Sequence, residues 1–101
     1  MPLVSAGRTL VAVAGTPVQV TATRTPCQSI IVQALTTNTQ KVYIGLSGMN
    51  KVTLAGVLAV LTTGQSYSAS SPGLQDPLDL AQIFVDVDVN NEGVLTSYFV
   101  N

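Results

Sequence analysis

Asp86-Val87-Asp88-Val89-Asn90-Asn91-Glu92-Gly93 is the stretch of this chain that comes nearest to a chemical motif. Oxygen-bearing side chains at its first, third and fifth positions match the opening of a calcium-binding loop. The match then breaks: Asn91 stands where the sharp-turn glycine is needed, and Ser97 stands where a bidentate glutamate should close the site. Alternation of Val with Asp also reads as a strand, and a strand lays its carboxylates in a row without wrapping them around an ion. The reading taken is an acidic row facing solvent or a partner. The alternative is a weak cation site at Asp86, Asp88, Asn90 and Glu92, completed by a neighbouring molecule.

Other chemistry has little to work with. There is no histidine, so Ser–His and Cys–His pairs and His-based zinc sites are ruled out. Cys27 is the single cysteine and follows Pro26, which predicts a small buried residue, not a nucleophile, and no internal disulfide. A carboxylate pair for glycoside hydrolysis could be drawn from Asp76, Asp79 or Asp86, but nothing sets two of them across a cleft, and there is no tryptophan platform for a sugar. Gly45, Gly48 and Gly56 lack the Lys–Ser/Thr pair and following helix of a phosphate loop. An enzyme is therefore not expected, nor a cofactor.

The composition points to a binding role. Only four cationic and five anionic residues occur in 101, against 47% hydrophobic content. Polarity comes instead from 12 Thr, 8 Ser, 7 Gln and 5 Asn. Typical soluble surfaces are ~25–35% charged, so this chain reads as one that ends up against something else. With a net charge of −1 it has no basic face for nucleic acid or anionic lipid. No apolar run approaches the ~20 residues of a membrane helix. Met1–Ala14 has no basic n-region before a long apolar stretch, so no secretory signal is expected. All four cations (Arg8, Arg24, Lys41, Lys51) precede all five anions (Asp76, Asp79, Asp86, Asp88, Glu92). Either the fold mixes the two groups, or one edge is positive and another negative, as a head-to-tail oligomer would use.

The elements that must carry these residues are strands. Val, Ile and Thr supply 31 residues, types that suit a pleated, half-buried surface. Strand-like runs are 8–14, 17–23, 29–35, 41–46, 57–62, 66–69, 82–90 and 94–100. A tight hairpin is expected at Thr36–Gln40, with Asn38 in the turn. A second is expected at Asn91–Gly93, with Gly93 left-handed, Val85 opposite Phe99 and Val89 opposite Leu95. The longer links Ser47–Gly56 and Ser70–Leu80 are read as crossings between sheets, with one helical turn opened by Asp76 and Pro77. Seven or eight short strands at this spacing predict one all-β domain over residues 1–101: an antiparallel β-sandwich, jelly-roll-like with Greek-key connections. Residues 1–7 are expected to be a flexible or docking arm.

Four stretches in order resemble small virion proteins of tailed bacteriophages. They are Ile30–Leu35 with Asn38–Gly45, the Gly64-Gln65-Ser66 turn, Leu80–Asp86, and Asp88–Val94. The resemblance covers roughly residues 29–100 and implies a capsid decoration, or cement, protein. Such a protein is a non-enzymatic β-sandwich, commonly a homotrimer, made in the host cytoplasm and bound to the major capsid protein on the outer surface of the virion. No catalytic residues carry over. Candidate contacts, from position and expected exposure, are Pro2, Leu3, Val4 and Arg8 in the arm, Met49, Asn50 and Lys51 in the loop, and Asp86, Asp88 and Glu92. The rival readings are a phage tail or fibre-base component and a calcium-dependent adhesion or carbohydrate-binding module.

Overall fold

The computed structural model describes residues 3–70 and 78–100, and every regular element among them except one 3₁₀ turn is a strand. The strands are β1 (Leu3–Val11), β2 (Val18–Gln19), β3 (Pro26–Cys27), β4 (Ser29–Ala34), β5 (Val42–Gly45), β6 (Val57–Leu61), β7 (Ser66–Ser70), β8 (Leu78–Asp79), β9 (Phe84–Val87) and β10 (Glu92–Phe99). All pairings are antiparallel. One four-stranded sheet runs β1-β10-β4-β7, a second runs β2-β9-β5-β6, and β3 pairs with β8.

Period-two alternation along the strands builds the core. The first sheet contributes Val11, Ile30, Val32, Ala34 and Val94, and the second contributes Val42, Ile44, Leu61, Val85 and Val87. These side chains form one buried cluster, joined by Cys27, Leu80 and Ile83 beside the short β3–β8 pair. Thr9 and Thr96 also point inward, and the Thr96 hydroxyl has no hydrogen-bond partner.

Strand pairing differs from expectation in three places. β4 and β5 do not form a hairpin: they lie in different sheets, and Thr36–Gln40 crosses between them. Asn38 is only 5% exposed because its amide grips β10, with Nδ2 donating to the Gly93 carbonyl at 2.8 Å and Oδ1 accepting the Gly93 N–H at 3.2 Å. β9 and β10 likewise lie in different sheets, each flanked on both sides, so Val85 pairs with Val18 and Ile44, and Phe99 pairs with Leu3 and Ser29. Val89 and Leu95 are exposed, not core. The left-handed residue of this corner is Asn91, at φ 67°, while Gly93 lies within β10. A Cβ on Gly93 would collide with the Thr9 carbonyl oxygen of β1, so the glycine is needed for close approach between strands.

Ser47–Gly56 does not cross between sheets either, because it joins β5 to β6 within one of them. Residues 3–7 are the start of β1, zipped to β10 from Leu3↔Phe99 onward with a bulge between Ser5 and Gly7, and not a free arm. Asp79 caps the 3₁₀ turn Leu80–Gln82 by accepting the Ala81 N–H. The turn expected at Asp76 and Pro77 lies outside the described residues.

Candidate functional site

The four side chains of the acidic row are each engaged by a neighbouring segment. Asp86 projects away from the Val85 and Val87 face, as alternation demands, yet it is only 1% exposed. The segment before β2 folds over it, and Oδ1 accepts the Gly15 N–H at 2.9 Å and the Val87 N–H at 2.8 Å. Asp88 accepts a bond from the Tyr43 hydroxyl at 3.1 Å and from the Lys51 ammonium at 3.2 Å. That ammonium also donates to the Val87 carbonyl at 2.7 Å and sits 6.0 Å from the Tyr43 ring centre. Burial, then the hydrogen bond to Asp88 and its charge, push the Tyr43 phenol above its ordinary value. Asn90 Oδ1 accepts the Ala14 N–H at 2.8 Å. Glu92 takes the Thr39 N–H at 2.7 Å, the Thr39 hydroxyl at 2.8 Å and the Gln40 N–H at 3.3 Å.

Asp86, Asp88, Asn90 and Glu92 thus tie three separate loops to β9 and β10. Among the described residues, no three acidic or thiol side chains converge as metal ligands would. The charge partition of the sequence dissolves in the same way. Lys51 pairs with Asp88, and Arg24 approaches Asp79 at 3.8 Å, so cations of the first half meet anions of the second within one molecule.

The expected contact residues scatter. Leu3 (61% exposed) and Arg8 are exposed on β1, and Val4 is half-buried there. Pro2 lies outside the described residues. Met49 is 5% exposed: its N–H bonds to the Leu46 carbonyl, the loop closes over it, and Gly56 packs against its backbone. It and Asp86 are therefore not surface contacts. Asn50 is exposed, but its side-chain oxygen is engaged by the Val52 and Thr53 N–H groups in a local turn. Lys51 and Glu92 are half-buried and bonded as above, and Asp88 is exposed at the end of β9.

Sheet pairing assembles a surface that the sequence reading did not single out. The outer face of the β1-β10-β4-β7 sheet carries three rows of four side chains: Leu3-Phe99-Ser29-Ser70, Ser5-Ser97-Ile31-Ser68, and Arg8-Leu95-Gln33-Ser66. None of them is buried, and Arg8 is the single charge. Leu95, in the last of these rows, is 44% exposed. The signal in the sequence is the alternation of Ser66, Ser68 and Ser70 with Tyr67 and Ala69, and of Ser29, Ile31 and Gln33 with Ile30 and Val32. It becomes a face only once strands distant in sequence are known to be neighbours.

Beside the β7 edge of this sheet, a groove of about 180 Å³ opens toward β6. Ile30, Val32, Leu58, Tyr67, Ala69 and Ile83 make it predominantly apolar. Cys27 is buried as expected, with its thiol 3.5 Å from the Leu78 carbonyl; burial, and then the charge of Asp79, push its pKa up. A thiol held in that state is a poor nucleophile. No helix among the described residues is long and apolar enough to cross a membrane.

Comparison of the chain with protein-family models, with curated proteins and with solved structures found no significant match.

Proposed function

We propose that this chain is a structural protein of a phage virion that decorates the outside of the capsid and stabilises it, without enzymatic activity. The observation that carries the reading is the nearly uncharged outer face of the β1-β10-β4-β7 sheet. Serines, Gln33 and aliphatic side chains can be desolvated against another protein at far less cost than a charged surface of the same size. Apolar area so covered stabilises by roughly 25 cal/mol per Å² before ordering costs.

Strand order supports the same reading. With the two-residue strands β3 and β8 set aside, the remaining eight strands number consecutively, and their sheets become 1-8-3-6 and 2-7-4-5. That is the order of a double-sheet jelly roll, two interlocked Greek keys, a fold frequent in capsid and lectin domains. The sandwich is proposed on this order and on the core shared by the two sheets. Fold alone does not choose between a capsid role and a carbohydrate-binding one. The face favours the capsid role, because its twelve side chains include no carboxylate and Phe99 is the one aromatic among them.

The test is location, followed by mutation of the face. Antibody against the protein, applied to separated heads and tails of the encoding phage, is expected to label heads. Label confined to tails moves the reading to a tail or fibre-base component, and unlabelled particles overturn it. On heads stripped of the protein, Leu95→Lys is expected to abolish rebinding in a co-sedimentation assay while leaving the circular dichroism spectrum unchanged.

A further inference from the structure

A sheet edge offers unpaired backbone N–H and C=O groups to any passing strand, and proteins ordinarily blunt it. Three of the four edges of the two large sheets are blunted here. β1 carries a bulge between Ser5 and Gly7, with Arg8 next to it. β6 carries a bulge at Leu58, between the Ile44↔Ala59 and Gly45↔Val57 pairs. β2 is two residues long.

β7 has none of these devices. It pairs with β4 in unbroken register from Ser29↔Ser70 to Gln33↔Ser66. It contains no proline and no charge, and it lies inside a run without charge from Val52 to Gln75.

We infer that β7 is the self-association edge of this protein, pairing antiparallel with β7 of a second copy across a two-fold axis at Ser68. Three features select a second copy as the occupant. The first is charge: at a two-fold contact every residue near the axis meets itself, so any charge there would repel its own copy, and this edge has none.

The second is shape. Ser66-Tyr67-Ser68-Ala69-Ser70 is nearly symmetric about Ser68, so serine meets serine on the outer face. On the inner face, the large Tyr67 of each copy falls opposite the small Ala69 of the other. Ala69 lines the apolar groove of about 180 Å³, which places the incoming Tyr67 ring at the mouth of an existing hollow.

The third is area. Four strands at ~4.8 Å spacing and about six residues of length give the outer face an extent on the order of 350 Å². Stable interfaces bury about 800 Å² per partner. Joining two sheets through β7 makes one continuous eight-stranded face of roughly twice that extent, with an Arg8 at either end. Area selects a second copy only through the proposed binding role of that face, whereas charge and shape do so without it.

Light scattering at micromolar concentration is expected to give twice the chain mass of 10.5 kDa. Ser68→Lys puts like charges on the axis and is expected to return the mass to 10.5 kDa without changing the circular dichroism spectrum. Directly opposed residues of antiparallel strands have Cα atoms ~4.5–5.5 Å apart, within disulfide reach. Ser68→Cys is therefore expected to run as a covalent dimer on a non-reducing gel after mild oxidation, whereas Ser5→Cys on the bulged edge stays monomeric. A monomeric wild type, a mass of three chains, or a Ser68→Cys protein that forms no covalent dimer overturns the inference. These readouts need no capsid, so loss of the decoration reading leaves them decisive.

Discussion

Asn38 and Thr96 are both buried polar side chains, and their surroundings lead to opposite predictions. The Asn38 amide satisfies both backbone groups of Gly93. In Asn38→Ala the Gly93 carbonyl keeps a bond from the Leu35 N–H, but the Gly93 N–H is left buried without an acceptor. Stability in urea is expected to fall by about 2–3 kcal/mol. The Thr96 hydroxyl already lacks a partner, at full burial, so replacing it with a methyl removes a penalty and no bond. Thr96→Val is expected to gain about 1 kcal/mol in the same assay. Asp79 adds a pH dependence. The Thr25 and Ala81 N–H groups, with a smaller contribution from Arg24, hold its carboxyl below the ordinary value against the opposing effect of burial. A depressed folded-state pKa contributes stability that is present above the unfolded value of about 4 and is lost as pH falls through the folded value. Urea midpoints are therefore expected to drop between pH 5 and pH 2.5, and Asp79→Asn to be less stable at pH 5 with a shallower acid limb.

At the scale of elements, the sequence showed which way side chains face better than which strands meet. Alternation put Ile83, Val85 and Val87 in the core correctly, and eight of the ten strands overlap runs visible in the sequence. What local pattern cannot carry is the partner. A hairpin and a crossover use similar turn residues, and the choice here depends on non-local fits such as the Asn38 amide against Gly93 and the strand β1 laid along β10. The candidate site was partly legible for the same reason. The acidic row was read as outward-facing, which holds for Asp86 relative to its sheet. Its burial comes from the segment carrying Gly15, a contact between residues far apart in sequence. β3 and β8, at two residues each, are too short to leave a periodic signal. Gly93 also looked like a turn residue, whereas its missing side chain lets β1 lie against β10. In Gly93→Ala the new methyl meets Thr9 and Leu10 backbone that has no rotamer to escape into. Loss of the β1–β10 pairing is expected, read as collapse of amide-exchange protection along Thr9–Val11 and a stability loss above about 3 kcal/mol.

For the whole molecule, few charges and a nearly uncharged face separate two kinds of binding that would otherwise look alike. A protein held by charge steering loses affinity steeply as salt is raised, because surface charges farther apart than the Debye length of ~10 Å at 0.1 M are screened. Here the Lys51–Asp88 and Arg24–Asp79 pairs are internal. Glu92 and Asp86 are occupied by backbone N–H groups. On the outer face of the β1-β10-β4-β7 sheet, only Arg8 is left to sense salt. Contacts made by Leu95, Ile31, Phe99 and the serines strengthen slightly, if anything, in salts that favour apolar burial. Retention on capsids is therefore expected to change less than about threefold between 0.05 and 0.5 M sodium chloride, a shift of under 0.7 kcal/mol. Arg8→Glu should matter little where Leu95→Lys abolishes binding. A tenfold or greater loss of retention with salt would mean that a charged surface elsewhere, and not this face, holds the protein to its target.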